Sequence, residues 1–272
     1  MVNPKVGDFV DRARPVGKLL EAELLLAEIL GVTREDVFAH PERSLSGEEC
    51  ERFERFWERI EAGEPLAYIV EHKEFYGLDF FVDSRVLVPR PETEHLVSTV
   101  LELVRDIDEP KILDVGTGCG AIAVALAHAL SGRVGAQVFA SDVSEEALEV
   151  ARVNAEKILA SRRPVSVDIE FFQSDLLQDI PWITLNLDIL VANLPYIGTR
   201  EFHFVEASVE RFEPSVALYG GADGLQLYRQ LFDQISCSDE RGVGPRWLLG
   251  EFGCFQRERL EAMIHEIFPS SS

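Results

Sequence analysis

The stretch KILDVGTGCG, Lys111 to Gly120, decides how this chain is read. Ile112 to Val115 is a short apolar run that ends in glycines. Asp114, Gly116, Gly118 and Gly120 fall at every second position, and Ala121 to Leu130 then reads as a buried, alanine-rich helix. Strand, glycine turn and helix in that order build a nucleotide-sized crevice at the carboxyl end of the first strand of an open α/β sheet. Glycine lets the backbone approach a ligand where a Cβ would clash. Taken alone, the loop is compatible with a dinucleotide, with adenosylmethionine or with no ligand. A pyrophosphate would want the helix N-terminus, whereas the early Asp114 suits a ligand that carries an ammonium and a carboxylate.

Further strands follow. Gln137 to Ser141 reads as the second, closed by Asp142, an acid placed to accept bonds from ribose hydroxyls. Ser144 to Leu159 is the next predicted helix, with Ala147, Leu148, Ala151 and Ala155 inward. Val165 to Phe172 is a third strand, closed by Gln173-Ser174-Asp175-Leu176. There Asp175 can accept an adenine's exocyclic amine, and Leu176 offers the ring an apolar face. Leu187 to Ala192 is a fourth strand, nearly all apolar as a central parallel strand should be. An Asp at a strand end is often only a helix cap. Three of them, in order around a glycine loop, favour a nucleoside ligand.

The fourth strand ends in Asn193-Leu194-Pro195-Tyr196. An asparagine carboxamide and a nearby backbone carbonyl make a pair of acceptors able to hold both hydrogens of a planar NH2, with Tyr196 stacked on the planar group. Methyl transfer to an amide or arylamine nitrogen needs this. Such a nitrogen is a poor nucleophile because its lone pair is delocalised, and two acceptors orient the lone pair while favouring the charge that develops. The proton can leave after the methyl arrives, and no metal is required. A turn capped by Asn and stiffened by Pro is the alternative reading of the same four residues.

Upstream, Met1 to Gly17 is polar and expected to be irregular. Lys18 to Leu30 predicts an amphipathic helix with Leu20, Leu24, Leu25 and Ile29 on one side, stopped by Gly31. Thr33 to Phe38 predicts a further short turn. Ser46 and Glu49 have capping-box spacing with Leu45 as staple, opening a helix that carries Cys50, Phe53, Trp57 and Ile60 on one face. Leu66 to Val88 alternates loosely around Gly77 and predicts a β-hairpin. In VPRPETE, Val88 to Glu94, the prolines stiffen the chain before a helix. Arg90, Glu92 and Thr93 sit at that corner, as surface charge and cap or as functional groups.

Downstream, Glu201 to Glu213 is acidic and aromatic, expected as a loop and short helix over the cleft. Gly220-Gly221 is expected as a tight entry to a helix over Ala222 to Ile235, followed by a polar turn from Ser236 to Pro245. Trp247 to Phe252 predicts a fifth strand and Phe255 to Ile267 a last helix.

Composition limits the function classes. Among 272 residues, 48 are acidic and 26 basic, a formal net charge of -22. That charge argues against non-specific binding to nucleic acid through a broad basic face. Cys50, Cys119, Cys237 and Cys254 are scattered, so neither a zinc site nor a disulfide framework is signalled. No leader and no membrane-spanning run is read, and a cytoplasmic protein is the expectation.

These motifs resemble those of the protein-glutamine N5-methyltransferases of peptide chain release factors, a class I adenosylmethionine-dependent family. The resemblance runs from about Ala22 to Gln256. It is carried by EPLAYI (64–69), PRPETE (89–94), LDVGTGCGAIAVALA (113–127), ANLPYI (192–197), EPSVALYGGADGLQLYRQL (213–231) and EFGCFQ (251–256). It implies a Rossmann-like class I methyltransferase sheet behind a small helical domain. The division implied is a helical substrate-recognition domain over residues 1–64, a hairpin linker over 65–88 and a catalytic domain over 89–272. The cofactor implied is S-adenosyl-L-methionine, on Asp114, Gly116, Thr117, Gly118, Cys119, Gly120, Asp142, Asp175, Leu176 and Asn193. The catalytic residues expected are Asn193, Pro195 and Tyr196. Arg90, Glu92, Thr93 and Leu194 are expected to join them against the substrate, a release factor's GGQ loop. A basic loop entering an acidic cleft fits the charge. A monomer with no stable nucleic-acid partner is expected, and an adenine-N6 methyltransferase acting on RNA or DNA is the alternative. Two features depart from the family. Leucine stands at 194 where proline is usual. The chain also stops before two further strands, which leaves a sheet edge expected to be uncovered.

Overall fold

The computed structural model describes residues 4–160, 167–181, 185–199, 205–239 and 244–268. The chain divides into two compact units. The first comprises residues 1–71 and 207–212, the second residues 72–206 and 213–272.

The first unit is helical. Helices span Val6–Ala13, Leu19–Leu30, Arg34–Ala39, Gly47–Glu61 and Leu66–Val70, joined by the short Ala207–Phe212. The capping box at Ser46 forms as its spacing predicts. The Ser46 N–H donates to Glu49 at 2.7 Å, and the Glu49 N–H donates to the Ser46 hydroxyl at 3.2 Å. Leu45 is buried beside it. Phe53 packs on Phe9 at 4.6 Å and stacks on Trp57 at 5.5 Å, forming the centre of the core.

Several expectations change here. The N-terminal segment is not irregular: Val6, Phe9 and Ala13 lie on one helical face and are buried. In Leu19–Leu30 the buried face is Ala22, Leu25, Leu26 and Ile29, while Leu20 and Leu24 are exposed. A stripe centred on small Ala22 lets the neighbouring helices come closer than a stripe of leucines would. Leu66–Val70 is a helix, so the hairpin is confined to His72–Phe75 (β1) and Leu78–Phe81 (β2), paired antiparallel. The Ala207–Phe212 helix belongs with the front helices, where Arg211 donates to the Ala62 carbonyl at 3.2 Å.

The second unit carries a five-stranded parallel sheet. Its strands are Lys111–Val115 (β3), Gln137–Asp142 (β4), Ile169–Gln173 (β5), Ile189–Ala192 (β6) and Trp247–Gly250 (β7), in the order β5-β4-β3-β6-β7. The parallel pairings are registered as Ile112↔Val138, Ile112↔Ile189, Val138↔Ile169 and Ile189↔Trp247. The order reverses between β3 and β6, so the crevice opens at their carboxyl ends. β6 is buried throughout, as its unbroken apolar run requires. Among the described residues β7 pairs with β6 alone. The predicted start of the third strand, at Val165 and Ser166, lies outside the described residues.

Helices Ala121–Ala129 and Glu145–Leu159 pack on the sheet, and the latter is capped by Ser144, which accepts from the Ala147 N–H. Asn154 faces inward on that helix, fully buried. Its carboxamide pairs with both backbone groups of Phe81, at 2.7 and 2.9 Å, and donates to the Cys119 carbonyl at 2.9 Å. One side chain thereby ties the hairpin to the glycine loop. The glycine-led helix begins at Gln226, not Ala222, and runs on to Asp239, into the start of the stretch expected to turn, whose residues 240–243 lie outside the described residues.

Candidate active site

A cleft of about 800 Å³, open mouth included, lies at the carboxyl ends of β3, β4, β5 and β6. Of the residues expected at the site, Gly116, Gly118, Asp142, Asp175, Leu176, Asn193, Leu194 and Pro195 line it. Gly118 has φ +57°, and a Cβ built there would meet nothing within 4 Å. The loop thus leaves both backbone and open space for a ligand at this point. Leu176 also holds a left-handed backbone, at φ 56°. Such strain in a non-glycine residue persists where its surroundings hold it, commonly at ligand sites.

Asp114 takes a different place from the one expected. It does not line the cleft. Its carboxylate is fully buried beneath the loop, where one oxygen accepts from the Thr117 hydroxyl at 2.7 Å and the Ala123 N–H at 3.2 Å. Burial pushes its pKa up to about 7, and nearby Asp142 adds to the rise. Its second oxygen and the Ser141 hydroxyl are buried with no partner. Thr117, Cys119 and Gly120 likewise shape the loop from below. Asp142 faces the cleft but is also a brace, accepting from Gly118 N–H at 2.9 Å and Ser144 N–H at 3.0 Å. Burial raises its pKa as well, against those bonds.

The residues fit adenosylmethionine. Asp142 and Asp175 supply acceptors along the wall, Leu176 and Val143 supply apolar surface, and Gly118 leaves room beside the loop.

Beside the cleft, Asn193 donates from Nδ2 to the Thr93 hydroxyl at 2.9 Å. Thr93 in turn donates to Glu251 Oε2 at 2.7 Å, and the Tyr196 hydroxyl donates to Glu251 Oε1 at 3.2 Å. Burial and the adjacent Glu251 push the Tyr196 hydroxyl up to about 12, so it stays protonated. Tyr196 is therefore held by its hydroxyl and does not line the cleft. Thr93 faces Asn193, Arg90 pairs with buried Glu213 at 2.7 Å, and Glu92 is exposed. Glu213 also accepts from Val88 N–H at 3.2 Å, so it anchors the proline corner.

The backbone of the NLPY segment is clamped from the other side. Ile197 N–H donates to Leu218 O, and Gly220 N–H donates to Ile197 O, each at 3.0 Å. A Cβ on Gly220 would fall 2.1 Å from the Pro195 carbonyl oxygen, and one on Gly224 would fall 2.1 Å from that of Tyr196. These glycines are required by close backbone approach, and not by a helix entry. Gln256 Nε2 donates to Tyr196 O at 2.8 Å. The buried Tyr228 hydroxyl donates to the Glu251 carbonyl and lies 3.2 Å from the Ala192 carbonyl.

Glu213, Tyr228 and Glu251 were not read from the sequence as site residues. Two of them, Glu213 and Glu251, open conspicuous motifs, which is the only local signal they carry.

The chain is similar to known proteins over most of its length. Residues 17–70 match the PrmC N-terminal domain, and residues 112–212 match a methyltransferase domain. The release factor glutamine methyltransferase of Koribacter versatilis is 42% identical over 234 residues, 86% of this chain and 79% of its own length. That of Moorella thermoacetica is 44% identical over 213 residues, covering 78% and 71%. That of Bacillus subtilis is 39% identical over 218 residues, covering 79% and 72%. Among solved structures, the hMettl16 catalytic domain in complex with MAT2A 3'UTR hairpin 6 superposes with a TM-score of 0.50. It is 16% identical and covers 70% of this chain and 67% of that one, a likeness of fold.

Proposed function

The chain belongs to the family of release factor glutamine methyltransferases, and from that membership we propose that Asn193 and the Leu194 carbonyl hold the amide that is methylated. The chain is an adenosylmethionine-dependent enzyme that methylates the side-chain nitrogen of the glutamine in the release factors' GGQ loop. When bound, the cofactor supplies an electrophilic sulfonium methyl. Everything else is positioning and electrostatics from this chain.

Asn193 Oδ1 accepts one amide hydrogen of the glutamine and the Leu194 carbonyl accepts the other. Three other carbonyls of the segment are already engaged: Ala192 O accepts from Glu251 N–H, Tyr196 O from Gln256 and Ile197 O from Gly220 N–H. With both hydrogens held, the nitrogen lone pair points across the cleft. The acceptors gain strength as nitrogen becomes positive, so their contribution falls on the transition state. With the cofactor bound, its methyl would pass to this nitrogen, which would afterwards release one proton to solvent. No strong base is needed before attack. Pro195 keeps the segment rigid, and Tyr196, tied to Glu251, braces it from outside the cleft.

Cofactor contacts belong to Gly116, Gly118, Asp142, Asp175, Leu176 and Asn193, with Asp114, Thr117, Cys119 and Gly120 holding the loop that makes them. The helical front unit recognises the folded partner. The enzyme acts as a cytoplasmic monomer and keeps no stable nucleic-acid partner, a reading supported by the net charge of -22. No described helix is long and apolar enough to cross a membrane.

The single observation that carries the reading is Asn193 at the cleft with its Nδ2 end already bonded. Asn193→Ala tests it. Turnover should fall about a hundredfold or more while release-factor binding changes little. Full turnover in that variant would refute the acceptor role.

A further inference from the structure

The carboxamide of Asn193 has two ends of opposite hydrogen-bonding sense, and only one of them serves the reaction. An acceptor end facing the glutamine NH2 holds it; a donor end facing it repels it. Nothing in the shape of asparagine selects between the two, so the selection must come from its neighbours.

The neighbours form a one-way chain. The Glu251 carboxylate can only accept. Thr93 has one hydroxyl proton, and it goes to Glu251 Oε2 at 2.7 Å. The Thr93 oxygen then has only lone pairs left for Asn193, which must answer with Nδ2, as it does at 2.9 Å. Oδ1 is left for the acceptor amide. The other Glu251 oxygen takes the Tyr196 hydroxyl proton. Thr93 is buried, so water does not compete for its hydroxyl. Glu251 is delivered to this spot by the sheet. Its N–H donates to the Ala192 carbonyl at 3.1 Å, one residue before Asn193.

We propose that Glu251, acting through the Thr93 hydroxyl, is a positioning residue that fixes which end of the Asn193 carboxamide faces the methyl acceptor. The inference rests on the role proposed above for Asn193. It moves Thr93 from a substrate contact to the middle of a relay, and gives Glu251 a function in specificity for a nitrogen that bears two hydrogens.

Three variants test it: Thr93→Val removes the hydroxyl at constant shape, Thr93→Ser keeps it, and Glu251→Gln lets either end face Thr93. Thermal melts establish that each is folded, and the Thr93 pair suffices if Glu251→Gln is not. Thr93→Val and Glu251→Gln should each lose about a hundredfold in kcat, with the cofactor dissociation constant within about twofold of the parent's. Thr93→Ser should recover kcat to within about fivefold, and the double variant should be no worse than the poorer single, since the residues act as a unit. A Thr93→Val enzyme at full rate would overturn the proposal, as would a Thr93→Ser enzyme as slow as Thr93→Val.

A second readout needs no acceptor protein. In a chain labelled with 15N-asparagine, the Asn193 side-chain NH2 signals are assigned by their loss in Asn193→Ala. They should shift and exchange faster with water in Thr93→Val and Glu251→Gln. Unchanged signals in both would overturn the relay. Shifted signals would support it whichever macromolecule accepts the methyl, so a failure of the release-factor reading is separately visible.

Discussion

Replacing Gly220 by Ala places a Cβ 2.1 Å from the Pro195 carbonyl oxygen and 2.6 Å from the Gly224 carbonyl oxygen. Both obstacles are backbone, so no side-chain rotation relieves them. Separations under about 3 Å are not tolerated, so the NLPY segment or the glycine stretch must retreat by about 0.9 Å or more. Overpacking of this kind costs about 1–3 kcal/mol of stability. The catalytic cost is larger in proportion. A displacement of about 1 Å in a positioning element is worth about a hundredfold in rate. Gly220 does not line the cleft, so cofactor affinity should be nearly unchanged. The assay pairs steady-state methylation of a purified release factor with calorimetry of adenosylmethionine binding. A loss confined to kcat is expected. Wild-type turnover in a folded Gly220→Ala enzyme would refute the claim that this contact positions the acceptor site. An equal collapse of cofactor binding would show that the contact supports the whole cleft instead.

Other perturbations separate the roles of the remaining groups. Asp142→Ala should weaken adenosylmethionine binding by about 0.5–3 kcal/mol in calorimetry, and an unchanged dissociation constant would leave Asp142 as a brace for Gly118 and Ser144 alone. Arg90→Ala strands Glu213, whose side chain is 1% exposed. Because Arg90 itself is 34% exposed, the loss in chemical denaturation should be about 1–3 kcal/mol, below that of a fully buried pair. Glu213→Gln should then recover part of it in the Arg90→Ala background. Asp114 has its pKa raised from 3.8 to about 7, so the folded chain favours its protonated form. The stability this lends is complete below the unfolded value and is lost as pH rises through about 7. Asp114→Asn should therefore flatten the decline in urea stability over that window, by on the order of 4 kcal/mol at most. Parallel pH profiles for parent and variant would contradict the shift.

The sequence carried the sheet because each strand announces itself locally. β3 and β6 are apolar runs closed by glycine or asparagine, and Ser46 with Glu49 spells its cap in four residues. The helix Val6–Ala13 was legible in principle from Val6, Phe9 and Ala13, but the polar residues between them made the segment read as irregular. Leu19–Leu30 was found, yet leucine on several sides left its buried face undecided until packing chose Ala22.

The site divides in the same way. Gly118 and Asn193 belong to short motifs, and their chemistry follows from their type. Thr93 lies 100 residues from Asn193 and 158 from Glu251. No periodicity links them: the β6–β7 register brings Asn193 and Glu251 together, and Thr93 reaches both from the start of the Glu94–Leu103 helix. The strand-end rule placed Asp142 and Asp175 correctly at the cleft wall and misplaced Asp114, because the helix N-terminus behind the loop offers that carboxylate closer donors. Gly220 reads as flexibility in one dimension, while its reason is a carbonyl from a segment some 25 residues earlier, visible only in three dimensions.

The central claim is that the cleft delivers a methyl group to a glutamine side-chain nitrogen. The most direct measurement offers isotope-labelled adenosylmethionine to the enzyme with a purified release factor and ribosomal RNA in one vessel, and locates the label by mass spectrometry of both. The account predicts a single added methyl on the glutamine of the GGQ loop and none on RNA. Label on adenine, with the GGQ glutamine unmodified, would contradict it.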